Sequence, residues 1–265
     1  MADPILLRAD EGAVAVLVLN APASFNALSE AMLAALETEI ADIAADPAIR
    51  VVVIRAEGKA FCAGHDLKEM QAHRGDADGG RSYYQALFDR CAAMMQALAA
   101  LPQPVIAAVQ GIATAAGCQL VATCDMAVAA TGTRFGVNGI NIGLFCSTPM
   151  VALTRKVPPA LAFEMLSTGA FIDADRAREA GLGNRVAPPE ALLGETMALA
   201  PAGAAQLPAA IRPGKAGFYE QAALPLERAY ALAGARMVEN MLDPDTDEGI
   251  CAFLDKRPPA WAPRS

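Results

Sequence analysis

One local pattern occurs twice in this chain, and it constrains the fold more than any other feature. Phe61-Cys62-Ala63-Gly64-His65-Asp66-Leu67 follows the apolar run Val51-Val52-Val53-Ile54, and Gly111-Ile112-Ala113-Thr114-Ala115-Ala116-Gly117-Cys118-Gln119 follows Val105–Val109. Each is a small-residue loop that leaves a buried-strand signal and opens into a helix. A helix start exposes backbone N–H groups without intrahelical partners, and the positive end of the helix dipole. Two such starts brought together make a two-donor pocket for a developing oxyanion. The chemistry that fits is polarisation of a carbonyl, a thioester foremost.

The rest of the chain repeats the alternation. Residues 3–9 and 13–19 read as strands. Residues 29–45 carry Leu33, Leu36, Ile40 and Ile43 at helical spacing behind Ser29, a candidate N-cap. The polar, glycine-rich stretch 72–80 reads as a mobile loop. Residues 82–100 place Tyr84, Leu87, Cys91, Met94 and Leu98 on one helical face, 117–123 read as a helix, and Met126–Ala129 as a strand. Strands alternating with helices predict an α/β fold with right-handed crossovers. From about residue 190 the pattern is helical only, over Glu220–Leu242, broken at Pro225, and over Asp247–Leu254.

Composition narrows the function. The chain has 265 residues, 54% of them apolar, enough for one large core. No uncharged apolar stretch reaches the roughly 18 residues of a membrane span, so no membrane partner is expected. A formal charge of −8 argues against nucleic acid. The six cysteines form no Cys-x-x-Cys pair and the only histidines are His65 and His73, so neither a disulfide framework nor a metal site is expected. Met1-Ala2-Asp3-Pro4 carries no basic-then-apolar signal, which predicts a cytoplasmic protein.

Together with the two loops, several motifs in order resemble the crotonase family, the enoyl-CoA hydratase/isomerase superfamily. They are Asn20-Ala21-Pro22 with Asn26-Ala27-Leu28, Lys59 through Lys68, Pro104 through Asp125, Phe135-Gly136, Gly143-Leu144, Glu164 through Gly169, Ala180-Gly181-Leu182, and Glu248-Gly249-Ile250 through Arg257. Gly64 through Glu69, Ala115 through Gln119 and Gly143 through Pro149 look most like the branch of enoyl-CoA hydratase domain-containing proteins. The resemblance implies a spiral of ββα turns over residues 1–195 and a C-terminal helical region over 196–265 that assembles a trimer or a dimer of trimers. It implies an acyl-CoA substrate, with coenzyme A as part of that substrate and no separate cofactor.

Carried over residue by residue, the resemblance makes the N–H groups of His65 and Ala116 the oxyanion donors. Helical backbone angles at the Ala115-Ala116 start need no glycine, so the second donor is expected to be presented normally. Asp66 reads as the cap of the helix beginning at Leu67. The His65 side chain is either an acid or base near neutral pH or a packing group. Gln119 and Gly139 stand where hydratases of the family place two catalytic glutamates. Glutamine can orient a water but cannot deprotonate it, and glycine offers no side chain. Acid and base groups contribute roughly 10²–10⁴-fold each, so a poor hydratase is expected. Restoring both glutamates is expected to restore hydration if the pocket is otherwise a hydratase's. Asn141, Cys146 and Tyr84 are the remaining candidate substitutes, Asn141 if its segment is extended and Cys146 if a helix start lowers its thiol pKa. Lys59, Lys68 and Lys256, the last on the C-terminal helix, are candidates for the CoA phosphates. Ala23, Phe25, Ala27 and Ala63 match segments lining the adenine and pantetheine path. Three readings stand: hydration of a 2-enoyl-CoA through an enolate, an acyl-CoA-binding homologue with little turnover, and another thioester reaction such as hydrolysis or decarboxylation.

Overall fold

The computed structural model describes residues 3–204 and 206–261. They fall in two compact units, Met1–Gly203 and Ala204–Ser265. The first unit opens with β1 (Leu6–Glu11) and β2 (Val14–Leu19), a hairpin in the antiparallel register Leu6↔Leu19. It continues through α1 (Glu30–Ala45), β3 (Val51–Ala56), α2 (Leu67–Ala72), α3 (Arg81–Ala100), β4 (Val105–Val109), β5 (Ile112–Thr114) and α4 (Ala116–Thr123). Then follow β6 (Met126–Ala130), β7 (Arg134–Gly136), α5 (Ser147–Leu153), α6 (Pro159–Thr168), β8 (Ile172–Asp173), α7 (Ala174–Glu179), β9 (Arg185–Ala187) and α8 (Leu192–Ala204). Residues 195 and 196 lie inside α8. The second unit is helical: α9 (Pro208–Gln221), α10 (Leu226–Met241) and α11 (Pro244–Leu254). Pro225 precedes α10 as its N-cap, since proline has no N–H to continue the preceding helix.

The strands build two sheets, one ordered β1-β2-β3-β4-β6-β9 and one ordered β5-β7-β8. The first is parallel from β2 onward, in registers such as Val14↔Val51, Val52↔Val105 and Ile106↔Met126. Every residue of β2 and β4 is buried, the near-continuous apolar run of a strand covered on both faces. The chain alternates between the sheets. β4 is followed by β5 and α4, and β6 by β7 and α5. A single bridge, Cys62↔Ala113, lets the segment after β3 pair beside β5 in the same way. Each turn is thus a strand in the large sheet, a short strand in the small one and a helix. This spiral stacks equivalent loops side by side.

Local chemistry explains the element limits. Ser29 accepts from the Met32 N–H at 3.2 Å and caps α1. Asp66 accepts from the N–H groups of Lys68 and Glu69 and caps α2. The first strand begins at Leu6, later than the expected start at residue 3. The stretch 72–80 is pinned more than its glycine content implies. Asp78 accepts from the Gly80 and Ser82 N–H groups at 3.0 and 2.9 Å, His73 pairs with Asp76 at 2.7 Å, and its ring stacks on Tyr83 at 3.6 Å. No helix among the described residues is long and apolar enough to cross a membrane.

Candidate functional site

Asn26 ties the N-terminal segment to the first loop. It is wholly buried, its Oδ1 accepting from the Ala21 N–H at 2.8 Å and its Nδ2 donating to the carbonyls of Glu57 and Ala60 at 2.8 and 2.9 Å. The neighbouring backbone then lies along the loop. Ala63 N–H donates to Phe25 and Leu28 N–H to Gly64, at 3.1 and 2.8 Å. Both Phe25 and Asn26 hold a left-handed φ, near 52° and 53°, to make this turn.

The second loop is pressed against the first. A Cβ on Gly117 would lie 2.2 Å from the Cys62 carbonyl oxygen, so only glycine lets α4 approach this closely. Gly64, at φ +90°, faces Ala115 and Ala116. A Cβ there would meet the Ala115 Cβ at 2.9 Å and the Ala116 nitrogen at 3.2 Å. The loop-to-helix starts inferred from the sequence are therefore juxtaposed. The N–H groups of His65 and Ala116 meet no acceptor among the described residues. Ala115 N–H, in contrast, is taken by the Gly136 carbonyl at 3.0 Å. One expectation needs correcting. Ala115 sits at φ 50°, ψ −122°, which an L-residue rarely adopts, so the second helix start is strained rather than ordinary.

His65 is half-buried, and Gln119, Cys62 and Cys118 are buried. His65 Nδ1 lies 3.4 Å from the Leu28 carbonyl oxygen, and its ring meets Phe88 edge-on at 5.7 Å. Nε2 is buried and meets no partner among the described residues, and burial pushes the imidazole below its ordinary pKa. Gln119 lies on α4, 6% exposed, with Oε1 also unpartnered among the described residues. Burial pushes the thiols of Cys62 and Cys118 up to about 12, so neither is a nucleophile near neutral pH.

Gly139 lies in a 3₁₀ helix, Asn138–Ile142. A Cβ there would meet the Leu144 carbonyl oxygen at 2.4 Å and Cys146 Sγ at 2.9 Å. The position lacks both a side chain and room for one, which no reading of residue identity reveals. Three candidate substitutes change accordingly. The segment is helical, not extended, so Asn141 does not share a face with Gly139, and its amide lies against Gly169. Cys146 is the N-cap of α5, but burial raises its thiol pKa, outweighing the hydrogen bond from Gly139 N–H. Tyr84 OH is spent on the Met70 carbonyl at 2.9 Å.

Of the expected ligand-path residues, Ala23, Phe25, Leu67, Lys59 and Lys68 are exposed, Ala63 and Asp66 half-buried, and Ala27 buried. Lys256 belongs to the second unit. It lies beyond the end of α11 with φ 53°, not on the helix as expected. The Asn26 clamp was missed as a functional feature. Its signal, an asparagine between Phe25 and Ala27, gains meaning only once its partners thirty residues away are known. An open hollow of about 330 Å³, lined by Arg178, Arg185, Pro188 and Glu195 among others, shares no residue with these loops.

A family model described as Enoyl-CoA hydratase/isomerase matches residues 9–264. The Xenopus laevis enoyl-CoA hydratase domain-containing protein 3, mitochondrial, is 44% identical over 258 residues, covering 97% of this chain and 86% of the relative. Among solved structures, an enoyl-CoA hydratase of Mycobacterium smegmatis is 55% identical with a TM-score of 0.94, covering 98% of this chain and 99% of that one. Human enoyl-CoA hydratase domain-containing protein 3 is 43% identical with a TM-score of 0.92, covering 97% and 100%. The mitochondrial names of the frog, mouse and human relatives overturn the cytoplasmic expectation. The expectation rested on the lack of a basic-then-apolar stretch at Met1-Ala2-Asp3-Pro4, a pattern that reports a secretory signal and not a mitochondrial one.

Proposed function

This chain belongs to the enoyl-CoA hydratase/isomerase family, and from that premise we propose that it is an acyl-CoA enzyme stabilising a thioester enolate on the N–H groups of His65 and Ala116. The observation that carries this reading is the pair of acceptor-free N–H groups on two loops held together through Gly64 and Gly117. Preorganised donors of this kind gain most when charge develops on the oxygen, so they favour the enolate over the ester. Ala23, Phe25, Ala27, Ala63, Asp66 and Leu67 line the path of the CoA moiety. Lys59 and Lys68 meet its phosphates, and Lys256 reaches the CoA of a neighbouring subunit.

Formally the reaction is water addition to a 2-enoyl-CoA, and it is slow. Gln119 orients water without deprotonating it, and Gly139 has nothing to offer and no space for a replacement. The same two residues favour a second reading, an acyl-CoA-binding homologue with little turnover, or a different thioester reaction such as hydrolysis. Crotonyl-CoA turnover separates a hydratase from a binder, and free-CoA release from an acyl-CoA panel identifies a hydrolase.

Ala116→Pro tests the donor pair, because proline is tolerated at a first helical position while its N–H is lost. Affinity for an enolate-mimicking thioester falls more than affinity for CoA itself, both read by calorimetry. An equal loss for both ligands, or no loss, overturns the oxyanion role. We further propose a trimer or a dimer of trimers. Leu226, Tyr230, Met237 and Phe253 of the second unit are each at least 69% exposed, apolar surface of the kind that subunit contacts bury. Light scattering reports about three or six chains; a stable monomer at micromolar concentration contradicts this.

A further inference from the structure

The Ala116 N–H owes its direction to the strained residue before it. The ψ angle of Ala115 turns the peptide that carries both the Ala115 carbonyl and the Ala116 N–H. At −122° it stands about 80° from the ordinary helical value of about −42°. A non-glycine residue at φ 50° with such a ψ costs free energy, and it persists only where the surroundings over-determine it. Relaxed toward ordinary angles, the peptide would swing the N–H off its line, and a hydrogen bond weakens steeply with misalignment. Whatever fixes Ala115 therefore fixes the second donor.

The anchors lie on both sides of it. On the helix side, the Ala115 carbonyl accepts from the Gln119 N–H at 3.0 Å, and Gly117 seats α4 against the Cys62 carbonyl. On the strand side, Ala115 N–H is held by the Gly136 carbonyl, and Thr114 N–H donates to the Cys62 carbonyl at 3.0 Å. β5 is only three residues long, ends at Thr114 and pairs with β7 in the register Thr114↔Gly136. A side-chain anchor joins these backbone ones. Thr114 Oγ1 donates to Asn138 Oδ1 at 2.5 Å, and both residues are half-buried. Thr114 thus grips the first loop through its N–H and the segment after β7 through its hydroxyl. Asn138 opens the 3₁₀ helix that carries Gly139. Gly136 and Asn138 therefore clasp the backbone before Ala116 from two neighbouring points.

We propose that Thr114 and Asn138 are positioning residues, whose side-chain hydrogen bond holds Ala115 in its strained conformation and so aims the Ala116 N–H at the thioester oxygen. Neither touches the reacting atoms. The role rests on the oxyanion reading above and adds to it the pair that aligns the second donor with the first.

The test reads the polarisation of the carbonyl directly. Butyryl-CoA isotopically labelled at its carbonyl carbon is bound to the intact chain, and its infrared carbonyl stretch is compared with that of the free ester. Two aligned donors move the stretch to lower frequency. Thr114→Val keeps the shape of the side chain and removes the hydroxyl. With one of two donors turned away, the shift falls by about half. Thr114→Ser returns the hydroxyl without the methyl group and restores the shift, which a packing role would not do. Asn138→Ala breaks the same bond from its other end and lowers the shift equally, and the double variant loses no more than either single one. Circular dichroism checks folding, and calorimetric affinity for CoA alone stays at the wild-type value. A wild-type shift in either Thr114→Val or Asn138→Ala overturns the positioning role, as does a shift lost as fully in Thr114→Ser as in Thr114→Val. Parallel loss of CoA affinity marks general damage to the fold and overturns it too. Each of these outcomes leaves the oxyanion reading intact. Bound butyryl-CoA with an unshifted stretch in the wild type overturns the oxyanion reading, and the positioning role with it.

Discussion

Replacing Gly139 by alanine tests whether the second catalytic position is merely vacant or closed. The added Cβ would stand 2.4 Å from the Leu144 carbonyl oxygen and 2.9 Å from Cys146 Sγ. The closer neighbour is backbone, so relief requires the loop to move. That loop is closed by Leu144 N–H donating to Gly139 and Gly143 N–H donating to Ile140, each at 3.0 Å. Overpacking of this kind costs about 1–3 kcal/mol, and weakening one such hydrogen bond adds about 0.5–1.5 kcal/mol. The expected destabilisation is about 2–4 kcal/mol. At roughly 2–4 °C per kcal/mol, the thermal midpoint falls by about 4–16 °C in a calorimetric or fluorimetric melt. Cys146→Ala in the Gly139→Ala background recovers only a small part, because the Leu144 contact persists. It follows that Gln119→Glu with Gly139→Glu does not restore crotonyl-CoA hydration, against the expectation from residue identity alone. A midpoint within 1 °C of wild type, or a fast double-glutamate hydratase, refutes the closed-wall argument.

Ala115→Gly raises the thermal midpoint. Relief of the strained φ 50°, ψ −122° backbone contributes about 1–3 kcal/mol, and the extra freedom of glycine in the unfolded chain takes back about 0.5–1 kcal/mol; a lower midpoint contradicts the strain. Asn26→Ala lowers stability by about 2–4 kcal/mol in urea titration, because it strands the Ala21 N–H and the Glu57 and Ala60 carbonyls; a loss below 1 kcal/mol removes Asn26 as the clamp. The C-terminal tail is held by Glu248, which accepts from Arg257 at 2.7 and 3.0 Å and from the Ala260 N–H at 2.6 Å, while Trp261 covers Gly249. These bonds depress the Glu248 pKa to about 2, so the clamp is complete above the ordinary carboxylate value of 4.5 and is lost as pH falls through about 2. Emission of Trp261, the chain's single tryptophan, shifts to the red over that range, and Glu248→Gln shows the shift already at pH 7; unchanged emission in that variant excludes the clamp.

Some features of this protein follow from short-range rules that a sequence carries openly. The uniformly apolar runs of β2 and β4, the caps at Ser29 and Asp66 and the break at Pro225 each depend on a few adjacent residues. The two loop-to-helix starts were legible for the same reason, as was the loss of both carboxylates at Gln119 and Gly139. Other features depend on residues thirty or more positions apart. The lone pair on His65 Nε2 is fixed by the Leu28 carbonyl, the clamp at Asn26 by the carbonyls of Glu57 and Ala60, and the burial of Cys146 by the packing around it. Ala115 takes its strained φ where its N–H meets the Gly136 carbonyl, and the Gly139 wall is closed by the backbone fold of its own loop at Leu144, a conformation that residue identity does not report. Residue identity therefore determined which groups this site lacks. Tertiary packing decided which remaining groups are free, neutral and close enough to act, because desolvation and hydrogen-bond partnership arise only between segments that folding brings together.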